Sequence, residues 1–292
     1  MPTRGRIRSK GLLNVAWEAS SVRNPSSFDT RILCLARGIC DVGGLQLGGD
    51  PEDAEHVSEE RTLSIVLMEL CGVTVFFAQA AITTKKLYDH LLSDDIGSSS
   101  VLYLYIALAI FVGILAADIV SGIVHWAADN WGSSSWPGIG PAFIWPFRHH
   151  HIDPRSITRH GFLELNGNNL IVSIPLLRIA SSALGSQDRL SALTAASFWL
   201  SFALFCGYTN QFHCWAHMEQ PPALVRGLQN VGLLMSRQHH HLHHIRPHDC
   251  YYCITTGWMN RPLTALGFFP ALEKAITTVT GAIPLHQQLK KS

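Results

Sequence analysis

The sequence predicts an all-α integral membrane protein with about four transmembrane helices. Two observations support this fold class. Hydrophobic residues make up 47% of the 292 residues and charged residues only 15%, whereas a soluble domain has about 25% charged residues. The hydrophobic residues are also gathered into long runs of the length that a membrane-spanning helix needs. The net charge of +1 gives no electrostatic basis for a nucleic-acid partner.

The N-terminal residues differ in composition from the rest of the chain. Residues 1–10 are basic, Ser, Arg and Gly recur up to about residue 49, and residues 50–60 are acidic. The apolar stretch of a signal peptide is missing from this segment. We therefore expect residues 1–60 to be a disordered or targeting tail, residues 61–285 to form one membrane domain, and residues 286–292 to be a C-terminal tail.

Four apolar runs are candidates for membrane spans, and they cover about residues 63–83, 101–126, 168–185 and 190–208. A helix rises 1.5 Å per residue, so about 20 residues cross a bilayer. The third run is the weakest, because Pro175 and Arg178 interrupt it. Residues 221–235 are amphipathic and are expected to lie at the membrane interface.

Four spans place the N-terminus, the 127–167 loop and the whole C-terminal segment on one side of the membrane. This side also receives most of the basic residues, so the positive-inside rule predicts that it is cytosolic. Of the 16 histidines, thirteen lie between positions 125 and 248, and all thirteen fall on this side. The sequence thus predicts that the histidines converge at one membrane face.

The spacing of these histidines is typical of metal ligands. His213 and His217 form an H-x-x-x-H unit, and His240, His243 and His244 form an H-x-x-H-H unit. Residues four apart share a helix face and can reach one metal, whereas the adjacent His150 and His151 serve better on two different metals. Eight histidines form the best-spaced set and provide ligands for two metals: His125, His150, His151, His213, His217, His240, His243 and His244. Imidazole binds zinc, copper, iron and nickel alike, so its softness does not choose among them.

The other histidines are expected to play lesser parts. His149, His239 and His241 neighbour better-placed histidines and are predicted to support the site or to face solvent. His56, His90 and His286 lie away from the clusters and are expected at the surface. Arg148, Arg159 and Arg237 are candidates for contacts with a lipid phosphate.

Several segments resemble the plasmanylethanolamine desaturase family of histidine-rich membrane lipid desaturases. They are FRHHHIDPRSITRH at residues 147–160, NG at 166–167, TNQFH at 209–213, HHIRPH at 243–248 and YCITTGW at 252–258. The resemblance covers about residues 100–285. The plant chloroplast desaturase that introduces a trans double bond into phosphatidylglycerol is similar around residues 118–129, 211–217 and 240–244. The IDPRSITRH run and His248 favour the ether-lipid family.

The resemblance implies a reaction and its cofactors. Two iron ions held by the eight histidines would activate O2 and remove two hydrogens from the carbons next to the ether oxygen, with water as the other product. Cytochrome b5 and its reductase would supply electrons, and the substrate would be an ether phospholipid in the membrane. Asp129 would be an additional ligand or an orienting group, and His160 and His248 would have the same supporting role. The implied location is the endoplasmic reticulum membrane, with a plastid membrane as the alternative.

Two alternatives remain open from the sequence. One is an acyl-lipid desaturase or hydroxylase of the phosphatidylglycerol type on the same scaffold. The other is a zinc-binding or metal-transporting membrane protein without catalytic activity.

Overall fold

Four long helices form the body of the part of the chain that the structure describes. The computed structural model describes residues 62–93 and 100–289, and these residues contain no strand, so the all-α prediction is confirmed. The tail expected over residues 1–60, including His56, lies outside the described residues. The long helices are α1 (Leu63–Leu92), α2 (Ser100–Asn130), α4 (Phe162–Ala183) and α5 (Arg189–Gly207).

These helices pack in the order α2, α5, α4, α1. Phe76 from α1, Leu170 and Leu177 from α4 and Ala203 from α5 are fully buried at the centre of the bundle. Many apolar side chains on the outer faces remain exposed, including Leu104, at 65% of its surface. A bundle with a closed interior and an apolar outer surface is suited to lipid as its solvent.

Three of the four long helices, α1, α2 and α5, are long and apolar enough to cross a membrane. The fourth, α4, is not among them. It begins at Phe162, six residues before the expected start, and this added turn contains Glu164 and Asn166. Asn166 is buried against Gln211, to which it donates a hydrogen bond of 3.0 Å, so its polarity serves an internal contact.

The shorter helices gather at one end of the bundle. A π-helix (Gly140–Ile144), α3 (Trp145–Ile152) and a 3-10 helix (Ser156–Arg159) follow α2, while α6 (Thr209–His217), α7 (Ala223–Asn230) and α8 (Arg237–His241) follow α5. The chain ends with α9 (Asn260–Ala265), α10 (Phe268–Thr280) and α11 (Leu285–Leu289). The expected domain boundary at residues 285 and 286 falls inside α11.

The expectation that His286 lies at the surface is wrong. Its side chain is buried, and its Nδ1 lies 2.7 Å from Oδ1 of Asn130 at the end of α2. Its Nε2 lies 3.5 Å from Oε2 of Glu273 in α10. Glu273 also accepts a hydrogen bond from Trp126 Nε1 at 3.0 Å. These contacts fasten the two C-terminal helices to the end of α2.

Gly113 allows α2 and α5 to approach closely. A Cβ atom at this position would lie 2.6 Å from the carbonyl oxygen of Phe198, and backbone cannot move aside as a flexible side chain can. We predict that Gly113→Val lowers the free energy of unfolding by roughly 1–3 kcal/mol because the helix interface is overpacked. Thermal unfolding in detergent micelles measures the change.

Gly227→Ala is the matched control, because nothing lies within 4 Å of a Cβ at this helical position. Alanine also has the higher helix propensity, so the control variant should be at least as stable as the parent. Equal melting temperatures for Gly113→Val and the parent would contradict this account of the α2–α5 contact.

Candidate metal centre

The end of α2 provides the first group of the site. Apolar side chains dominate this helix up to its last third, where polar groups recur on one face. Among them, His125 is fully buried and Asp129 is buried one turn later. A buried imidazole beside a buried carboxylate at the end of a membrane helix marks a functional position more often than a structural one.

The fold brings all eight predicted histidines together in two overlapping groups. One group contains five histidines: His150, His213, His217, His240 and His244. The other contains four: His125, His150, His151 and His243. Within each group, one side-chain nitrogen per residue lies within 4.8 Å of all the others. His150 belongs to both groups, so the site has the form of two adjoining donor sets.

The distances in the first group fit a shared metal ion. Nε2 of His240 lies 2.9 Å from Nε2 of His213, 2.9 Å from that of His217 and 3.0 Å from that of His244. Two nitrogens held at right angles on one metal, each at about 2.0–2.1 Å, lie about 3 Å apart. Nε2 atoms of His125 and His150 are buried without a hydrogen-bond partner. Such an array of converging nitrogens fits a metal ion far better than it fits a hydrogen-bond network.

Backbone carbonyls fix the rings of several of these histidines. Nδ1 of His125 lies 3.1 Å from the carbonyl oxygen of Tyr252, and Nδ1 of His243 lies 2.9 Å from that of Cys250. Nδ1 of His150 contacts the carbonyl oxygen of Phe147. Each carbonyl can accept only a proton on Nδ1, so Nε2 is left with its lone pair toward the centre. This is the usual support for a metal-binding histidine.

Asp129 lies beside the second group. Its Oδ2 lies 3.4 Å from Nε2 of His125, 3.2 Å from Nε2 of His151 and 3.3 Å from Nε2 of His243. The carboxylate therefore points at the same volume as the three imidazoles. The carboxylate adds a negative charge beside the second group.

Burial keeps the imidazoles outside the spans neutral. It lowers the pKa of His217 to about 3. Burial and the neighbouring histidines together hold the pKa values of His150, His213, His240 and His244 well below the ordinary range. Neutral imidazole is the form that binds metals. The polypeptide thus prepares these rings as ligands at physiological pH.

Arg148 positions α3, and this corrects the expectation that it contacts a lipid phosphate. Its buried guanidinium donates hydrogen bonds to the carbonyl oxygens of Ala128, at 3.3 Å, and Gly132, at 2.9 Å. These bonds tie the middle of α3 to the end of α2 and bring His150 and His151 against His125. Arg159 and Arg237 remain at the surface, where they pair with Asp153 and Glu219.

Asp118 positions the segment that supports the second group. Its carboxylate accepts hydrogen bonds from the backbone N–H groups of Thr255, Thr256, Gly257 and Met259, at 2.9–3.3 Å. It also accepts one from the Thr255 hydroxyl at 2.7 Å. The segment that it binds follows directly on Cys250 and Tyr252, which provide the carbonyls for His243 and His125. A carboxylate in α2 thereby sets the orientation of two histidines.

Gly122 permits the close contact between α2 and this segment. A Cβ at Gly122 would lie 2.6 Å from Sγ of Cys253, so a larger residue would push the segment away from α2. The hydroxyl of Ser121 accepts a hydrogen bond of 3.1 Å from the backbone N–H of Ile254. Asp118, Ser121 and Gly122 together form the docking surface for the segment.

The comparisons with known proteins agree with this site. Residues 114–287 match the model of the lipid desaturase domain, and they include every residue of both histidine groups. The chain belongs to the lipid desaturase family. The resemblance found in the sequence is therefore confirmed.

Two relatives of this lipid desaturase are named for ether lipids. The chain is 41% identical over 242 residues to the plasmanylethanolamine desaturase of Myxococcus xanthus, covering 82% of this chain and 81% of the relative. It is 44% identical over 189 residues to plasmanylethanolamine desaturase 1 of Mus musculus, covering 63% and 70%. The chloroplastic fatty acid desaturase 4 of Arabidopsis thaliana is 36% identical over 190 residues, covering 64% and 57%. No solved structure matches the chain.

The remaining histidines of this lipid desaturase differ in their distance from the two histidine groups. The ring of His248 packs against that of His151 at 4.3 Å, and its Nδ1 lies 3.2 Å from the carbonyl oxygen of His243. His160 lies at the surface, where its Nδ1 is 2.9 Å from Glu164. It contacts neither group, so the structure gives no support for its predicted role. His149 stacks on Trp145, and His241 is exposed.

Asp118→Ala should weaken the metal centre of this lipid desaturase without touching a ligand. The substitution leaves several buried N–H groups without an acceptor, and each costs about 1–3 kcal/mol. We expect a large fall in melting temperature and loss of bound metal. Asp118→Asn keeps one acceptor oxygen and should have a smaller effect.

The matched control is Asp153→Ala, which removes an exposed carboxylate near the same end of the molecule. Elemental analysis and thermal unfolding of the purified proteins provide the two measurements. Full metal content in a folded Asp118→Ala protein would show that the segment is positioned by other contacts.

Proposed function

We propose that this chain is an O2-dependent diiron desaturase that converts plasmanylethanolamine into plasmalogen by introducing the vinyl ether double bond. The convergence of eight histidines on two adjoining donor sets is the observation that carries the proposal. Membership of the lipid desaturase family and the names of the Myxococcus xanthus and Mus musculus relatives support it.

The two donor sets indicate which residues would hold each ion. His213, His217, His240 and His244 would hold one iron, while His125, His151, His243 and Asp129 would hold the other. His150, which belongs to both groups, lies between the two sets. When bound, the two irons supply the chemistry that activates O2 and removes two hydrogens from the alkyl chain next to the ether oxygen.

The polypeptide contributes orientation, charge and exclusion of water. The carbonyls of Tyr252 and Cys250 hold His125 and His243 with Nε2 turned inward. The Asp129 carboxylate would offset part of the positive charge of an ion bound by the second set. Six of the eight histidines are buried and the other two are half-buried, which protects a reactive centre from side reactions with water. The overall reaction consumes O2, two electrons and two protons and releases two water molecules.

Electrons would come from cytochrome b5 and its reductase. The metal centre would face the cytosol from the endoplasmic reticulum membrane. In this topology α4 crosses the membrane as a fourth span despite its polar first turn. Its 22 residues extend about 33 Å, which is close to the thickness of the bilayer core.

The plant relatives favour a second candidate function. The Arabidopsis thaliana proteins are named fatty acid desaturases, so desaturation of an acyl chain on the same scaffold is the alternative. Identity to them is 36%, against 41% and 44% for the two ether-lipid relatives. This difference is the reason for proposing the ether lipid first.

Labelled alkyl-acyl phosphatidylethanolamine distinguishes the two functions. Membranes that contain the chain should convert it into a product lighter by two hydrogens, and mild acid should cleave that product to a labelled aldehyde, as expected of a vinyl ether. Membranes without the chain are the control. A double bond found in an acyl chain, with the alkyl chain unchanged, would contradict the ether-lipid proposal.

Single histidine variants test the donor sets. His217→Ala and His243→Ala, one from each group, should each abolish desaturation because each removes a buried ligand nitrogen. Membrane insertion should be unchanged, since neither side chain belongs to the bundle core.

His241→Ala is the matched control, because His241 lies in the same run of histidines but is exposed and belongs to neither group. It should retain the activity of the parent, as measured by conversion of the labelled lipid. Activity retained in His217→Ala or His243→Ala would remove that residue from the proposed ligands.

A further inference from the structure

A group of exposed apolar side chains lies beside α2, on α7 and on the segment that connects α7 to α8. Leu224 is 76% exposed, Val231 is 70% exposed and Leu233 is 47% exposed. Residues 227–236 contain no charged side chain. The opposite face of this segment is tied down: Val225 is buried, and Gln229 donates to the carbonyl oxygens of Trp215, at 3.3 Å, and Met235, at 3.0 Å. The apolar surface is therefore a fixed feature of the fold.

Trp258 connects this segment to the surface of a membrane span. Its indole Nε1 donates a hydrogen bond of 2.6 Å to the carbonyl oxygen of Gly232. Its ring packs against that of Phe111, with centroids 5.6 Å apart. Phe111 is 46% exposed on α2 and lies in the same helix as the exposed Leu104 and Leu108. The apolar group thus continues the outer surface of α2.

The position of Phe111 along α2 gives the depth of this contact. Phe111 precedes His125 by fourteen residues, which corresponds to about 21 Å along the helix axis. The hydrocarbon core of a bilayer is about 30 Å thick. The segment around Gly232 consequently lies well to the membrane side of the metal centre, deeper than the interface expected from its amphipathic sequence.

The irregular backbone of residues 253–259, next to this apolar group, has its N–H groups bonded within the protein. Irregular backbone at that depth must find its hydrogen-bond partners within the protein, because lipid offers none. The backbone N–H groups of residues 253–257 and 259 donate hydrogen bonds to the side chains of Asp118, Ser121 and Asn260. The N–H group of Trp258 donates one of 3.2 Å to the Thr256 hydroxyl. Side chains thereby replace the water that would serve a surface loop.

From this geometry we propose that α7, residues 231–233 and Trp258 form an apolar platform immersed in the leaflet on the side of the metal centre. Its partner is the hydrocarbon of membrane lipids, which covers Leu224, Val231 and Leu233 as it covers the outer face of α2. Arg226, exposed on α7, can extend its charged end toward the headgroups while its stem stays in the apolar layer. The platform leads through Met235 directly into α8, which contains His240.

Quenching of a fluorescent probe by lipid tests the immersion. The full chain, with a fluorescent amino acid incorporated at position 231, is reconstituted into vesicles of phosphatidylcholine brominated on its acyl chains. The probe should lose most of its fluorescence relative to unbrominated vesicles, and aqueous iodide should have little effect. Position 108, on the outer face of α2, is the positive control. A probe at position 233 repeats the test if the first variant does not fold.

Position 139 is the matched negative control. Ile139 is 54% exposed and follows the end of α2 by nine residues, so its probe should respond to iodide and not to the brominated lipid. Iodide quenching of the probe at position 231 would overturn the proposal. Protection from both quenchers would also overturn it, and would indicate that another protein covers the platform. Neither fluorescence measurement depends on desaturase activity, so failure of this proposal can be distinguished from failure of the proposed function.

Discussion

The carboxylate of Asp118 is the constraint on which the rest of the site depends. It lies inside a membrane-spanning helix, where a bare charge is costly, and it accepts four backbone N–H groups that lipid would leave unsatisfied. These hydrogen bonds lower both the free-energy cost of burying the carboxylate and that of burying the irregular backbone. The segment that Asp118 binds follows Cys250 and Tyr252, and the carbonyls of these two residues orient the rings of His243 and His125.

The two donor sets are assembled from elements far apart in the sequence. α2 provides His125 and Asp129, α3 provides His150 and His151, α6 provides His213 and His217, and α8 with the residues after it provides the last three histidines. Buried contacts fix each element: Arg148 ties α3 to α2, and Asn166 with Gln211 ties α4 to α6. Rigid positioning of the elements is what places the nitrogens about 3 Å apart.

Much of this arrangement follows from local sequence patterns. Apolar runs and i, i+4 histidine spacing depend on a few neighbouring residues, so the helices and all eight histidines of the two groups could be predicted. The role of Asp118 does not follow from local sequence, because the backbone groups that it binds lie about 137 positions away. The burial of His286 does not follow from local sequence either, since its partner Asn130 lies 156 positions away. The partners of Arg148 are nearer in sequence, but they are backbone carbonyls that no sequence pattern marks. His160 lies in a segment that resembles the family, yet the fold leaves it at the surface beside Glu164, since adjacency in a motif does not determine side-chain direction.

In the proposed site, the two donor sets hold two iron ions next to each other. Iron content and Mössbauer spectra of active protein, expressed with isotopically enriched iron and purified in detergent, test this most directly. We expect about two irons per chain in two distinguishable environments, because one set includes the Asp129 carboxylate and the other consists of imidazoles alone. Active protein with a single iron per chain, or with zinc and no iron, would contradict it.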